Sequence, residues 1–329
     1  MNQKTFTADL LKLDLAQEAD RIGAGLRDTL RRFKKKGVVV GMSGGIDSSV
    51  VAALAVRALG KERVFGLLMP EQDSAGETLK LSRGLAEHLG VDYAHEDITS
   101  ILEASGCYKR RDEAIRSVVP DYTPACKSKI VLPSVVDDDK YRFFTLVVQY
   151  PNGQTTETRL DLNAYLGIVA ASNFKQRSRK MLEYYHADRL NFVVAGTPNR
   201  LEYDQGFFVK LGDGAADVKP IAHLYKTQVY QMAAFLKLPE NIRNRPPTTD
   251  TYSLPQSQEE FYFSLPYQKM DLVLFGKNQG YSAAEIGPAV GLSAEQVERV
   301  LHDIDGKRRM ARYLHAAPAL VEQINDDEA

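Results

Sequence analysis

A glycine-rich turn between an apolar strand and an apolar helix constrains this chain most. Residues 38–49 read VVVGMSGGIDSS, and a largely apolar run follows them. A turn between a strand and a helix presents backbone N–H groups to an anion at the positive end of the helix. Gly44 and Gly45 let the main chain approach a phosphate closely. The sequence therefore predicts a phosphate-binding turn, with the Asp47 carboxylate placed to hold a cation.

Two common nucleotide-binding loops do not fit this turn. The P-loop pattern, counted from Gly41, places Ile46 at the second glycine and Asp47 at the lysine. The dinucleotide fingerprint fails because Ser43 stands where its second glycine is needed. Residues 43–48, Ser-Gly-Gly-Ile-Asp-Ser, resemble instead the Ser-Gly-Gly-x-Asp-Ser loop of the ATP pyrophosphatase (PP-loop) superfamily. Its members split ATP between the α and β phosphates, so the resemblance implies ATP as co-substrate and Mg²⁺ as its counter-ion.

The composition bounds the class of protein. With 329 residues and 44% hydrophobic content, the chain suits one large domain, or one domain with an appendage. Its 42 basic and 43 acidic residues give a net charge of −1, which argues against a general nucleic-acid binder. Cys107 and Cys126 form no Cys-x-x-Cys pair, which favours a reducing compartment. With neither a signal-peptide pattern nor a run of ~20 apolar residues, we expect a cytoplasmic protein without a membrane partner.

Strands and helices alternate along much of the chain. Strands are predicted at 38–40, 64–68, 92–97 and 191–195, and helices at 47–59, 76–89, 161–186 and 224–237. This alternation indicates parallel βαβ units. We predict an α/β fold in which a parallel sheet is flanked by helices. Ligands of such sheets bind at the carboxyl ends of the strands, where the glycine turn lies.

The alternation is interrupted once and ends before the C-terminus. Within 103–160, an atypical insertion, Tyr141–Tyr150 and Gln154–Leu160 predict a β-hairpin around an Asn-Gly turn. The acidic run 137–139 is interpreted as a solvated loop rather than a metal site. The proline-rich stretch 246–255 is predicted to be an ordered loop or lid. Residues 256–329 are expected to be a helical extension of a single domain that spans 1–329.

A second set of motifs narrows the resemblance. Gly196-Thr197 is followed by Glu202, then by Gly-Phe-Phe-Val-Lys at 206–210 and Gly-Asp-Gly-Ala-Ala-Asp at 212–217. Together with the glycine turn, these motifs resemble the ammonia-dependent NAD synthetase family. Shorter matches are found at 173–181, 224–228, 247–250 and 307–308. The resemblance spans about 38–309 except the 103–160 region.

The resemblance implies an AMP-forming carbon–nitrogen ligase that converts deamido-NAD, ATP and ammonia into NAD, AMP and pyrophosphate through an acyl-adenylate. It implies Asp47 and Lys226 as catalytic residues, and Asp47 and Glu202 as ligands of Mg²⁺. The implied ATP-binding residues are Gly41, Ser43, Gly44, Gly45, Ile46, Asp47, Ser48, Thr197, Lys226 and Thr248. The implied substrate-binding residues are Arg177, Lys210, Asp217 and Lys307. The family also implies a homodimer. The chain has no room for a fused glutaminase, so free ammonia or a separate glutaminase is expected.

Each assignment has a simpler alternative. Lys226 could be a surface lysine in the first turn of a helix, where a cation is mildly unfavourable. Glu202 could be solvated, Arg177 could serve a salt bridge, and Lys307 could belong to a solvated basic end. The family usually has histidine before its C-terminal Lys-Arg, whereas this chain has Gly306. An amide ligase acting on a different carboxylate therefore stays open beside the deamido-NAD enzyme.

One further pattern belongs to another class of protein. Residues 281–296 read as two short helices around a Gly-Leu-Ser turn, which is typical of a helix-turn-helix in a DNA-binding regulator. The second helix carries Glu295 and Glu298, and carboxylates there would oppose the phosphates of DNA. We therefore interpret the pair as a packing unit of the enzyme and expect no nucleic-acid partner.

Overall fold

A computed structural model describes residues 6–74, 76–132, 134–136, 143–249 and 251–322. The acidic run 137–139 and the beginning of the strand predicted from Tyr141 lie outside these residues. The strands are β1 (Val38–Gly41), β2 (Val64–Leu68), β3 (Asp92–His95), β4 (Lys127–Val131), β5 (Thr145–Gln149), β6 (Thr155–Arg159), β7 (Val193–Ala195), β8 (Thr248–Thr249) and β9 (Gln256–Ser257). The helices are α1 (Leu15–Arg32), α2 (Ile46–Leu59), α3 (Gly76–Leu89), α4 (Thr99–Ala104), α5 (Cys107–Arg116), α6 (Leu162–Leu190), α7 (Arg200–Gln205), α8 (Lys226–Phe235), α9 (Glu240–Arg243), α10 (Tyr267–Gln279), α11 (Ala283–Val290) and α12 (Ala294–His315).

The central sheet is parallel and has the strand order β3-β2-β1-β7. Val38 and Val40 of β1 face a core formed with α1, α2 and α8, whereas Val39 faces a second core formed with α4 and α6. All three valines are fully buried. A strand covered by helices on both faces needs this continuous apolar run. The predicted α/β fold with a flanked parallel sheet is confirmed.

The predicted hairpin belongs to a second, antiparallel sheet with the order β4-β5-β6. Its turn places Gly153 at φ +86°, and the Asn152 side chain accepts a hydrogen bond from the Gln154 N–H at 2.9 Å. The predicted hairpin is confirmed, and its loop has three residues, 151–153, of which the last is the left-handed glycine. Strand β4 was not predicted. It packs on its own small core, in which Ile130 and Tyr252 are buried.

The C-terminal part is helical, as predicted. Helices α10, α11 and α12 form a core that also takes in Phe6 and Leu11 from the start of the described chain. Val290 and Val297 pack inside this core, so the two helices of the helix-turn-helix pattern bury their apolar faces within the protein. That residues 1–329 form a single domain, with 103–160 as an insertion and 256–329 as an extension, stays a prediction. Among the described helices, none combines the length and the apolar character that crossing a membrane requires.

Candidate active site

A large cleft, with a volume of about 1800 Å³, opens at the carboxyl ends of the parallel strands. It brings together most of the residues that the sequence predicted for the site, although they lie far apart in the chain. Asp217 and Gly44 are not among the described residues that line it. The predicted residues that line the cleft are Gly41, Ser43, Gly45, Ile46, Asp47, Ser48, Arg177, Thr197, Glu202, Lys210, Lys226, Thr248 and Lys307.

The glycine loop (residues 42–45) is held by serine hydroxyls at the start of α2. Ser48 Oγ lies 3.1 Å from both Ser43 Oγ and the Gly45 carbonyl oxygen, and it accepts a hydrogen bond from the Ser43 N–H at 3.3 Å. Ser49 Oγ donates to the same Gly45 carbonyl at 2.7 Å. These bonds fix the loop at the positive end of α2, which is the arrangement that suits an anion.

Gly44 is required by the path of the loop rather than by contact with the cleft. Its φ is +69°, in the left-handed region that L-residues avoid. A Cβ at this position would lie 2.9 Å from the Cβ of Leu81 and 3.0 Å from the carbonyl oxygen of Thr78. The glycine therefore lets helix α3 pack closely behind the loop.

Asp47, in the first turn of α2, is the meeting point of three segments. Its Oδ1 accepts a hydrogen bond from Asn199 Nδ2 at 2.9 Å, and its Oδ2 accepts one from Lys226 Nζ. Lys226 is 2% exposed, so it is not the surface lysine considered as its alternative. The loop after β1, the start of α7 and the start of α8 thus converge on one carboxylate.

Glu202 reaches the same place from α7. Asn199 begins this helix with a capping box: its side chain accepts hydrogen bonds from the backbone N–H groups of Leu201 and Glu202, and its own N–H donates to Glu202 Oε2 at 3.1 Å. Gln258 Nε2 donates to Glu202 Oε1 at 3.0 Å. Burial, followed by the charge of Asp47, raises the pKa of Glu202 above its ordinary value. Glu202 is therefore not a solvated surface residue.

Lys226 supplies positive charge between the two carboxylates. Burial alone would lower its pKa, but the charges of Asp47 and Glu202 outweigh burial and raise it. A lysine at the first position of a helix opposes the helix dipole. Asp271 compensates from α10, because its carboxylate accepts hydrogen bonds from the backbone N–H of Lys226 at 3.1 Å and of Thr227 at 2.6 Å.

The donor set suits a hard divalent cation shared with a phosphate. Asp47 and Glu202 both present carboxylate oxygens, and Mg²⁺ is commonly held by one or two carboxylates together with phosphate oxygens and water. No group of three or more acidic, histidine or cysteine side chains that could hold a metal is found in the described parts of the chain. The pair therefore fits a cation brought with a nucleotide, and not an all-protein cage.

The residues predicted for the acceptor substrate have protein partners of their own. Arg177 Nε donates to the Lys210 carbonyl oxygen at 3.3 Å, and Lys210 Nζ donates to the carbonyl oxygens of Tyr313 and Ala316 at 2.7 and 3.1 Å. Lys307 Nζ forms an ion pair with Asp303 at 2.7 Å and lies 8% exposed on the cleft wall.

Asp217, which was predicted to bind the substrate, instead forms hydrogen bonds with other parts of the protein. Its Oδ2 accepts a hydrogen bond from the Val194 N–H at 2.7 Å, and its Oδ1 accepts one from the Tyr184 hydroxyl at 3.2 Å. These contacts tie the loop after α7 to strand β7. The other acidic residue of the same motif, Asp213, is on the cleft wall, and its Oδ1 accepts a hydrogen bond from the Val209 N–H at 2.7 Å.

A buried ionic network around Lys175, which lines the cleft, was not predicted. Lys175 Nζ lies 2.9 Å from Glu71 Oε1 and 2.8 Å from Asp73 Oδ2, and it donates to the Thr251 carbonyl oxygen at 3.0 Å. Arg111 Nη1 contacts the same oxygen of Asp73 at 2.7 Å. The network joins the loop after β2, helix α5, helix α6 and the segment near Thr251. No local sequence signal links these residues, because their separations in the chain run to 104 positions.

Two other residues of the site were missed for different reasons. Asn199 could have been found, because Asn followed three residues later by Glu202 is a helix-start signal. Gln258 carries no comparable signal, since it reaches Glu202 only through the fold of the segment after β8. With these additions, the arrangement can bind a polyphosphate on the glycine loop, hold a cation on two carboxylates and offset charge with Lys226.

The chain resembles known proteins along nearly all of its length. A family model described as NAD synthase matches residues 18–119 and 151–311. The NH(3)-dependent NAD(+) synthetase of Rhizobium meliloti (strain 1021) is 61% identical over 327 residues, which are 99% of this chain and 98% of that protein. Among solved structures, an NMN synthetase from Francisella tularensis has a TM-score of 0.65 at 23% identity, covering 95% of this chain and 100% of the other. An NH3-dependent NAD synthetase from Campylobacter jejuni has a TM-score of 0.62 at 23% identity, covering 94% and 100%. At such identities the structural likeness shows a shared fold alone.

Proposed function

The chain belongs to the NAD synthase family, and we propose that it catalyses the ATP-dependent amidation of deamido-NAD by ammonia, through an acyl-adenylate, with release of AMP and pyrophosphate. The observation that carries this function is the 61% identity over 99% of the chain to an NH(3)-dependent NAD(+) synthetase. The geometry agrees, because the cleft joins a phosphate-binding loop to two carboxylates and a buried lysine.

ATP is the co-substrate. The backbone of the glycine loop and the start of α2 are placed to bind its phosphates, because they present N–H groups and serine hydroxyls at a helix N-terminus. Lys226 is placed to neutralise charge that develops on the leaving pyrophosphate. Thr197 and Thr248 line the same cleft and can donate hydroxyl hydrogen bonds. The chain's contribution is positioning and charge neutralisation.

Asp47 and Glu202 are the residues that would hold Mg²⁺. When bound, the ion withdraws charge from the phosphate oxygens of ATP and makes pyrophosphate a better leaving group. Asn199 and Lys226 keep Asp47 oriented, and Asn199 and Gln258 keep Glu202 oriented.

The acceptor lies on the side of the cleft formed by α6, the 206–213 loop and α12. Arg177, Lys210 and Lys307 line this side and give it positive charge, which suits an acidic acceptor. Gly306, which stands where the family usually has histidine, also lines the cleft. We therefore propose that deamido-NAD is recognised here through neighbouring cations rather than through that imidazole, with Asp217 acting through the loop it fixes.

The experiment that tests the function supplies the protein with ATP, Mg²⁺, ammonium and a panel of carboxylates that includes deamido-NAD. We expect AMP and pyrophosphate to form only when deamido-NAD is present, with NAD as the second product. AMP formation with another carboxylate, and none with deamido-NAD, would assign the enzyme to the alternative, an amide ligase with a different acceptor. ADP in place of AMP would contradict both.

Three further properties belong to this proposal. The exposed face of α6 carries Leu162, Leu166, Met181 and Tyr185, each more than half exposed, and we propose that a homodimer buries it. The nitrogen source is free ammonia or ammonia from a separate glutaminase. The two free cysteines, both buried, fit a reducing compartment such as the cytoplasm. Sedimentation at micromolar concentration tests the dimer, and a monomer there would contradict it.

A further inference from the structure

The inserted antiparallel sheet is bound along one edge to a segment that reaches the active site. We call residues 251–258 the strap. Strand β4 is an edge strand of the β4-β5-β6 sheet, so one of its sides is free of β5. The strap lies along that side. An edge strand offers unpaired backbone groups that another segment can bind.

Four hydrogen bonds join the strap to β4, and the longest of them runs from Ser253 Oγ to the Ser128 carbonyl oxygen at 3.5 Å. The Ser128 N–H donates to Ser253 Oγ at 2.9 Å, and the Leu254 N–H donates to the Ser128 carbonyl oxygen at 3.2 Å. Gln256 Nε2 donates to the Ile130 carbonyl oxygen at 2.5 Å, and Gln256 is 2% exposed. Ser128 and Ile130 are two positions apart on β4, which is the spacing at which a strand presents its backbone groups to the same side.

The first part of the strap is also anchored by side chains. Tyr252 is 6% exposed and packs in the core of the inserted sheet with Ile130 and Leu146. One residue earlier, the Thr251 carbonyl oxygen accepts a hydrogen bond from Lys175 Nζ at 3.0 Å. The strap is therefore held from the inserted sheet on one side and from helix α6 on the other.

The other end of the strap meets the predicted metal-binding carboxylate. The Gln258 N–H donates to the Pro247 carbonyl oxygen at 3.2 Å, which fixes its backbone. Its side chain then donates to Glu202 Oε1 at 3.0 Å. The opposite oxygen, Oε2, accepts the Asn199 N–H. Each carboxylate oxygen thus has one donor and keeps lone pairs for a further ligand.

We propose that the inserted sheet is a positioning element of the active site, and that through the strap it holds Gln258 against Glu202 and so orients this carboxylate toward the glycine loop. Gln258 is a positioning residue, because it acts on the cation through Glu202. The inference deepens the proposed function and rests on the role given there to Glu202. Donors that orient a ligating carboxylate typically change metal affinity 10–100-fold when they are removed.

The test compares metal binding with backbone mobility. Gln258→Met removes the donor to Glu202. The double variant Ser253→Ala/Gln256→Met loosens the strap from β4 and leaves Gln258 intact. Glu157→Gln is the matched control, because Glu157 is exposed on β6, at the opposite edge of the same sheet. For each protein, the Kd of Mn²⁺ is measured by electron paramagnetic resonance in the presence of a non-hydrolysable ATP analogue. Amide hydrogen exchange is followed over the strap.

We expect Gln258→Met to raise the Kd of Mn²⁺ about tenfold without faster exchange over residues 251–256. The double variant should speed exchange over the strap and raise the Kd several-fold. Glu157→Gln should change neither quantity. If the double variant fails to fold, Ser253→Ala alone carries the same comparison.

The inference is overturned if the strap exchanges faster while the Kd of Mn²⁺ stays at the wild-type value, or if Gln258→Met binds Mn²⁺ as the wild type does. The inference is also overturned if the Glu202→Gln variant binds Mn²⁺ with the same Kd as the wild type. These readouts need no turnover. A protein that shows the expected changes in Kd, yet forms no AMP from deamido-NAD, therefore contradicts the proposed reaction and leaves the positioning role standing.

Discussion

The Asp47 carboxylate and the Lys226 ammonium form a buried ion pair across 179 residues of the chain. The pair joins the N-terminal turns of α2 and α8, two helices that pack on the same face of the central sheet. The side chains are 17% and 2% exposed. Since a lone charge at such a depth is costly, each residue fixes the other. The groups assigned to catalysis therefore also hold the fold together at this point.

Substitution of either partner of this pair alone should destabilise the protein. Asp47→Asn leaves the Lys226 charge with Glu202 as its remaining nearby anion, and Lys226→Met leaves two carboxylates facing each other. We expect each change to lower the free energy of unfolding by roughly 3 kcal/mol. The double variant should lose less than the sum of the two, with a coupling of roughly 1–3 kcal/mol. Urea denaturation of the four proteins measures this cycle. Additive losses would show that the two side chains do not interact.

Loss of the Glu202 charge should lower the activity without a matching loss of stability. Glu202→Gln keeps the size and shape of the side chain and removes its charge, so we expect folding to be retained. AMP formation at saturating ATP should fall on the order of 1000-fold in Glu202→Gln and in Asp47→Asn, because a cation contributes several kcal/mol to phosphoryl transfer.

The control for the activity measurement is Glu240→Gln, because Glu240 lies at the start of α9 and its side chain is 83% exposed. It should form AMP at the wild-type rate. The measurement is the initial rate of pyrophosphate release over a range of Mg²⁺ concentrations. A rate within threefold of the wild type for either carboxylate variant would remove that residue from the metal site.

Parts of the molecule with strong local patterns could be predicted from sequence. Strands β1, β2 and β7 are continuous apolar runs, and Asn152-Gly153 marks the hairpin turn, so these elements are found nearly where they were expected. Strand β4 was missed because its pattern, Lys-Ser-Lys-Ile-Val, is half polar and gains its partners from β5 and the strap. Helix α6 continues to Leu190 because Asn191, at φ 55°, forms its left-handed end.

The same distinction applies to the site. Residues inside a local motif, such as Asp47 and Glu202, could be named because their motifs resemble those of a known family, and the structure brings both to one cleft. The contacts of Lys175, although it lies inside the matched segment 173–181, and those of Gln258 could not be predicted, because their partners come from distant segments of the folded chain. A motif identifies residues within one short segment, whereas the contacts of Lys175 and Gln258 depend on how distant segments pack together.

Replacement of Gly44 should damage both stability and nucleotide binding. In Gly44→Ala the residue must adopt φ +69°, and its Cβ must lie 2.9 Å from Leu81 Cβ. We expect a loss of roughly 2–4 kcal/mol in the free energy of unfolding and at least tenfold weaker ATP binding. Gly84→Ala is the matched control, because Gly84 lies one turn along α3 from Leu81 and a Cβ there meets nothing within 4 Å. The check is urea denaturation with ATP titration. Equal stability of the two variants would contradict the packing argument.

Asp271 should make the stability of the protein depend on pH. Burial raises its pKa from the ordinary 3.8 to about 6, although hydrogen bonds from Thr227 and Lys226 act in the opposite direction. Between these two pH values the folded chain binds more protons at Asp271 than the unfolded chain does. The contribution of Asp271 to the free energy of unfolding is therefore complete below pH 3.8 and is lost as the pH rises through 6. Two pKa units correspond to roughly 3 kcal/mol.

The Asp271→Asn variant removes this titration and, independently of pH, one acceptor of the Thr227 N–H. We therefore expect the variant to be less stable than the wild type at pH 4, and the gap to narrow by up to roughly 3 kcal/mol by pH 7. Denaturant unfolding of both proteins at half-unit intervals of pH measures the gap, and other titrating groups cancel in the difference. Glu240→Gln serves as the control and should follow the wild type at every pH. A gap that widens as pH rises would mean that hydrogen bonds from Lys226 and Thr227 stabilise the Asp271 carboxylate more than burial penalises it.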